Sequence, residues 1–475
     1  MRRIYKNVSN VVAWLGAEMK GFNLALETFR GIAQHSHLHL VPMKEPFLEQ
    51  RYLDKDHWWQ RVWTVQEAVL PINLTFVVGK RTLASDILFT AEENWSRHTA
   101  TCCLDMGGKG EGLALWVLRR AHAMRGVGAL KSVRRFSLEE RLDLLSVSSG
   151  YRNRKCPDPR DRIYGFLGLD CGSYKNLLFP NYDIATEKLF ELFTLEVIER
   201  AQNLDVFTYL YNPPGRRRAD KIPSWAVDWR VDMDNKTDVF FNRRVKCLNA
   251  YTTAKNTSVN FSFISPGVVA MTGVLVDEVH AVGGYLTGKW DVYDEWQKMT
   301  KRDEWTVKKL SSAYENTASA FWHTLMSDIV FGAAASIEAG MLKFLRVQDK
   351  EHKLWLDRWW DWLRNKDLTP DPGRGAIYVN DAVREATCGR VFFTSTQGYM
   401  GTGAAAVLPG DIIVVLYGGK VPYILRRTDR AMELNKSFYP CYQILGDAYV
   451  HGVMDGKALN DPENRQLQAQ RFILV

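Results

Sequence analysis

Arg61-Val62-Trp63-Thr64-Val65-Gln66-Glu67 is the stretch on which the reading of this 475-residue chain turns. Trp58, Val62, Val65 and Val69 recur at i, i+4, i+7 and i+11. That spacing predicts a helix, with Asp56 as its N-cap and Pro71 as its stop. On such a helix Trp59, Trp63 and Glu67 stand four residues apart and lie roughly along one face. A carboxylate beside indole rings is partly desolvated, which suits acid–base or charge-stabilising work. The plainer alternative makes the tryptophans core residues and pairs Glu67 with an arginine, and spacing alone favours it.

Upstream, Val11-Val12-Ala13-Trp14-Leu15-Gly16 is a continuous apolar run closed by glycine. It reads as a strand buried on both faces, as in parallel sheets. Phe22, Ala25, Leu26, Phe29 and Ala33 then follow at helical spacing. Leu74-Thr75-Phe76-Val77-Val78-Gly79 is the next expected strand. The order strand, helix, helix, strand is part of an α/β unit, too small to cover both faces of a sheet without further strands.

Residues 91–150 read as mostly helical, with a glycine-rich break at 107–112. Asp158-Pro159-Arg160-Asp161 then opens a helix, with Asp158 as N-cap, Pro159 at the first helical position and Asp161 in the first turn. Ile163, Phe166 and Leu167 would form its apolar face. Phe190, Phe193, Val197 and Ala201 mark another amphipathic helix. Ser224-Trp225-Ala226-Val227-Asp228-Trp229 reads as a packing block on the strength of its two tryptophans. Residues 354–363 form a Trp-dense helix. From about residue 374, short apolar runs alternate with Gly, Pro and Asp, which predicts a compact antiparallel sheet or small barrel. The expected fold class is α+β: a partial α/β segment over 1–90, a mainly helical region over 91–235, a mixed region over 236–373 and a β region over 374–475.

Composition narrows the function classes. Hydrophobic residues make up 46% and charged residues 24%, ordinary for a folded chain. The net charge of +8 is dispersed among acidic residues instead of lying on one aromatic-rich element, which argues against a nucleic-acid surface. Seven cysteines without a CxxC pair fit a reducing compartment. The apolar run near the N-terminus is too short and too interrupted for a secretion signal, and no 18-residue apolar span predicts a membrane helix. A cytoplasmic protein is expected. GxxxxGK[ST], HExxH and GxSxG are all absent from the sequence, so no metal or cofactor is expected. His35, His37 and His39 alternate without a carboxylate or cysteine at ligand spacing and read as a polar loop.

Several blocks together resemble the fungal heterokaryon-incompatibility (HET) domain family. Ile4-Tyr5 and 11–16 resemble its "IY…A…V-WLG" block, 61–67 its "R-x-W-x-x-QE" block, with Gly79 following. Asp158-Pro159-Arg160-Asp161-Arg162-Ile163-Tyr164-Gly165-Phe166-Leu167-Gly168-Leu169 resembles "DPRDrIyallGL". Tyr182-Asp183, Pro223-Ser224-Trp225 with Asp228-Trp229, Gly410-Asp411, 422–426 and 446–456 continue in the family's order. The family's opening "ALSYxWG" and "WIDaiCINQ" blocks do not stand in this sequence, so 1–90 is expected to hold the second half of the domain, as in a truncated form.

The resemblance implies a role in non-self recognition and incompatibility-triggered cell death, with protein partners. HET domains are in turn similar to TIR domains, which have a flavodoxin-like sheet. Some TIR domains cleave NAD with a glutamate in a W-C-x-x-E helix. Trp63-x3-Glu67 has that spacing. By this resemblance Glu67 is the catalytic carboxylate, Trp63 supports it, and NAD is a substrate. The other readings are a non-enzymatic protein–protein interaction module, built on the Trp-rich helix and basic surface, or an inactive paralogue.

Overall fold

A computed structural model of the chain describes residues 2–17, 22–34, 58–100, 144–169, 179–211, 213, 221–233, 244–245, 247–286, 291–331, 344–365, 373–434, 436–460 and 468–475. Asp56, the three alternating histidines and the glycine loop 107–112 lie outside them. The chain divides into two compact units, 1–183 and 184–475, whereas sequence patterning put boundaries at 90, 235 and 373.

In the first unit Val11–Gly16 (β1) runs parallel to Leu74–Val78 (β2), with Ala13 opposite Phe76. Gly79 at φ +56° turns the chain so that Arg81–Ala84 (β3) returns antiparallel to β2. β1 is not buried on both faces as expected: Ala13 is buried, but Val12 and Trp14 are 60% and 65% exposed. The sheet order β1-β2-β3 puts β1 at a margin. Successive side chains point to opposite faces, so a run apolar at every position still buries only alternate residues when one face is covered. The helix Phe22–Gln34 supplies buried Leu26, Phe29 and Ile32 at helical spacing. It lies against Ser85–Ala100, where Asn94 Nδ2 donates to the carbonyl of Ile32 at 2.9 Å.

The helix predicted from Asp56 is a single short one, Thr64–Val69, with Trp58 to Gln60 forming a turn before it. The backbone explains the difference. The carbonyl of Gln60 accepts from Lys155 N–H, and Val62 N–H donates to the carbonyl of Lys155. Groups bonded to another segment cannot also close helical turns. The freed indoles settle on β2 instead: Trp59 stacks on Phe76 at 5.2 Å, and Trp58 meets the same ring edge-on at 5.6 Å.

In the second unit Thr186–Ala201 forms the expected helix and buries Phe190, Phe193 and Val197. Ala201, expected on that face, is exposed at the helix end, where Gln202 at φ +50° stops it. The sheets comprise Phe261–Ser265 (β4), Val268–Val282 (β5), Ile329–Phe331 (β6), Phe344–Arg346 (β7), Arg390–Ser395 (β8), Met400–Ala404 (β9), Ile412–Leu416 (β10), Tyr423–Leu434 (β11), Ser437–Asp447 (β12), Tyr449–Val450 (β13) and Gln470–Leu474 (β14). β10, β11, β12, β14 and β5 pair in sequence and β5 pairs back to β10, so these five strands close into a barrel. Two features depart from the expected antiparallel sheet over 374–475. β12 and β14 run parallel, Cys441 opposite Ile473. The fifth wall, β5, comes from the region 236–373 read as mixed, outside the expected β region. Closure needs a strand with partners on both edges, and among the described residues β5 is the strand that pairs with both β14 and β10.

Beyond the barrel β5 continues into pairing with β8, then β9 and β13. Against this extension packs a helical layer: Asp291–Met299, Glu304–Ala313, Thr317–Leu325, Asp349–Arg364 and Arg374–Thr387. Its core is aromatic, with Trp296 stacked on Phe392 at 5.8 Å and Trp359 buried beside Tyr293. Among the described residues, no helix is long and apolar enough to cross a membrane.

The β5–β10 seam has no room for a side chain at Gly273, where a Cβ would lie 2.5 Å from the Val415 carbonyl oxygen. Gly273→Ala is therefore expected to lower the stability of this unit by about 1–3 kcal/mol. A denaturation midpoint unchanged from the wild type would refute close packing at that seam.

Candidate functional site

The short helix Thr64–Val69 carries Glu67, whose side chain is half-buried. Its Oε2 accepts the indole N–H of Trp58 at 2.9 Å. The hydroxyl of Tyr5 bonds the same carboxyl, and burial together with that carboxylate raises the Tyr5 pKa. Among the described residues the hydrogen-bond partners of Glu67 are neutral donors, while the charge of Arg61 also acts on Tyr5 beside it. An anion oriented by N–H and O–H donors can stabilise positive charge that develops beside it.

Trp63 is not the indole beside Glu67. It occupies the helix N-cap, and its Nε1 donates to Asp161 Oδ2 at 3.0 Å. The predicted helix face of Trp59, Trp63 and Glu67 therefore separates into three destinations: Phe76, Asp161 and the Trp58–Tyr5 pair. Sequence spacing missed Trp58 and Tyr5 as the partners of the carboxylate. Both depend on the turn before the helix and on a segment some 60 residues upstream, which no local pattern encodes.

The block around Asp158 is the platform for this helix. Asp158 Oδ1 accepts the Arg160 N–H at 2.9 Å, but Asp158 is not the cap expected of it: the α-helical turn is only Asp161–Tyr164, and Arg160 holds its N-cap position without a side-chain cap bond. The Arg160 guanidinium, whose Nε donates to the same oxygen at 2.9 Å, holds the Asp158 carboxyl below its ordinary range. Asp161 receives Trp63 on one oxygen and the Tyr182 hydroxyl on the other, at 2.7 Å. Burial first, and then that bond to Asp161, raises the Tyr182 pKa. Gln66 Nε2 donates to the carbonyl of Gly165 at 2.7 Å. Gly165 and Gly168 are required by contact: a Cβ at the first would lie 2.3 Å from Val62 Cγ1, and at the second 2.2 Å from Gln66 Oε1. Arg154 is buried beneath, donating to Thr64 Oγ1 at 2.8 Å and to the Arg61 carbonyl at 3.1 Å. Burial pulls its pKa down to about 10.

In the second unit, the C-terminal motif residues read as turn chemistry serve as charge staples. Asp411 pairs with Arg426 at 2.8 Å while accepting the Leu408 N–H. Asp447 pairs with Arg390 at 2.9 Å, both side chains being at most 9% exposed. Removing one member of such a pair strands a buried charge, which is the reason both partners are needed. The Ser224 to Trp229 block behaves as expected for packing, with both tryptophans fully buried. Ser224 adds a clasp: its N–H donates to Val475, and its hydroxyl accepts from Ile444.

Three comparisons bear on this arrangement. Residues 368–470 match the family model of the Het-6 beta-barrel domain, which lies on the barrel segment but leaves out β5. The chain is 22% identical to heterokaryon incompatibility protein 6, OR allele, of Neurospora crassa, over an alignment of 559 residues that covers 98% of this chain and 78% of that protein. No solved structure matches.

Gly165→Ala tests whether the two N-terminal blocks interlock as described. The added methyl must displace Val62, so a loss of about 1–3 kcal/mol is expected, together with a change in tryptophan fluorescence as Trp63 leaves Asp161. Unaltered stability and emission would remove the interlock.

Proposed function

The chain is of the heterokaryon-incompatibility (HET) family, and on that premise we propose that it acts in the cytoplasm in fungal non-self recognition. In this reading, unit 1–183 triggers cell death and Glu67 is its working carboxylate. The observation that carries it is the orientation of Glu67 by Trp58 and Tyr5 on a helix anchored through Gln66 to Gly165. By the TIR resemblance the substrate is NAD. The carboxylate stabilises the cation-like ribosyl centre as the bond to nicotinamide breaks, water adds its oxygen to that carbon, and ADP-ribose and a proton leave.

A second reading is favoured by one specific observation. Val12 and Trp14 present apolar surface on β1, and exposed apolar patches mark interaction surfaces. On that reading the unit acts by binding protein partners and turns nothing over.

Glu67→Gln separates the two, because the amide oxygen still accepts from Trp58 while the charge is lost. Expressed in a fungal host, the wild-type chain is expected to deplete NAD and reduce viability. The variant, at equal abundance and thermal stability, should deplete NAD about tenfold or more slowly. Equal depletion by both removes Glu67 from the chemistry. Cell death without NAD loss selects the interaction reading.

A further inference from the structure

The two donors on Glu67 differ in how firmly they are held. Trp58 is buried, edge-on to Trp59 at 4.8 Å and to Phe76 at 5.6 Å, so it cannot leave the carboxyl without unpacking the face of β2. Tyr5 stands on the helix Arg2–Asn7, in which no residue is buried. Arg3, Lys6 and Asn7 are exposed, Ile4 is 59% exposed, and Tyr5 is half-buried with its hydroxyl on Glu67. A six-residue helix is too short to persist in water by its own hydrogen bonds and depends on what it touches. The chain is fixed again directly after it. Asn73 Nδ2 donates to the Ser9 carbonyl at 2.8 Å, and the Val11 N–H donates to the Asn73 carbonyl at 2.9 Å. The helix can therefore swing about Val8 and leave β1 where it is.

The place of that helix matters to the carboxyl. An ionised carboxylate has only acceptor positions, so the Tyr5 hydroxyl is the donor of the pair. A donor in contact with a carboxylate oxygen draws on its negative charge and keeps any other group from the same position. A cationic centre that forms beside Glu67 needs both the charge and the access. The closed arrangement, with Trp58 and Tyr5 on one carboxyl, is thus a resting form of the site.

We propose that the helix Arg2–Asn7 is a cover on the Glu67 site, fastened by the Tyr5 hydroxyl, and that substrate reaches the carboxylate only when the cover lifts. The proposal rests on the reading of Glu67 as the working carboxylate and adds Tyr5 to that site as its gating residue. Trp58 keeps the carboxylate aimed in both states, whereas Tyr5 bonds it only in the closed one. The apparent affinity for substrate then falls in proportion to the fraction of molecules that are open. Loss of a hydrogen bond to a charged group shifts such an equilibrium by about tenfold or more.

Tyr5→Phe keeps the ring and removes the hydroxyl. Two rates are measured on the purified full chain: amidation of Glu67 by a water-soluble carbodiimide with glycinamide, mapped by mass spectrometry, and release of nicotinamide from NAD. The first reads access to the carboxyl whether or not anything is turned over. Both should rise about tenfold in the variant. Equal amidation of the two chains overturns the cover, whatever happens to NAD. Faster amidation with equal or slower nicotinamide release also overturns it, since Tyr5 would then serve Glu67 as a fixed partner. Faster amidation with no release from either chain supports the cover and removes the enzymatic reading of Glu67. Should the variant not fold, amide hydrogen exchange of the wild type, corrected for intrinsic rates, decides. Residues 2–7 should exchange about tenfold or more faster than 64–69, and equal protection overturns the proposal.

Discussion

The barrel unit depends on one strand being paired along its whole length. β5 runs for fifteen residues and meets β4, β10, β14 and β8 in turn. A sheet of five strands cannot close unless some strand serves both ends of the order, and an unclosed edge would leave a row of N–H and C=O groups without partners. β5 fills that place although it lies more than a hundred residues before the other barrel walls. The ion pairs Arg426–Asp411 and Arg390–Asp447, and the Ser224 clasp on the last strand, act on a ring that β5 has already closed.

In the first unit the corresponding constraint is the contact between the blocks at 61–67 and 152–169. Glycine at 165 and 168 lets the second block approach until Val62 and Gln66 touch its backbone. Lys155 takes the hydrogen bonds that would have extended the helix of Glu67 toward Trp58. The shortened helix is what sets the carboxylate facing Trp58 and Tyr5. Packing thus produces the environment of the candidate group: the same bonds that stop the helix also fix the partners of Glu67.

Much of the fold was legible where a pattern is local. The strands at 11–16 and 74–78, the helices at 22–34 and 186–201, and the run of short strands after 390 all follow from period and turn residues. The helix start after Asp158 was misplaced, because the turn 158–160 holds its own bonds and the helix begins only at Asp161. The candidate site was legible in part. Glu67 stood out by composition and spacing, yet Trp63 proved to serve Asp161, and Tyr5 left no local signal at all. The staples at Asp411 and Asp447 were hidden for another reason: an aspartate after glycine looks the same whether it makes a turn or meets a buried arginine far along the chain.

What the sequence by itself determined is the kind of element each segment forms and the family to which the ordered blocks point. Side-chain period and backbone capping are properties of neighbouring residues and need no knowledge of the rest of the chain. What only the tertiary structure decided is where those elements stop and which polar groups meet. The helix before Glu67 ended because distant backbone claimed its hydrogen bonds, β1 kept one face exposed because of its place in the sheet, and the barrel closed through a strand that local pattern set apart from it. Each is a pairing across long sequence separation, and such pairings are chosen by the competition of the whole chain for a limited set of partners.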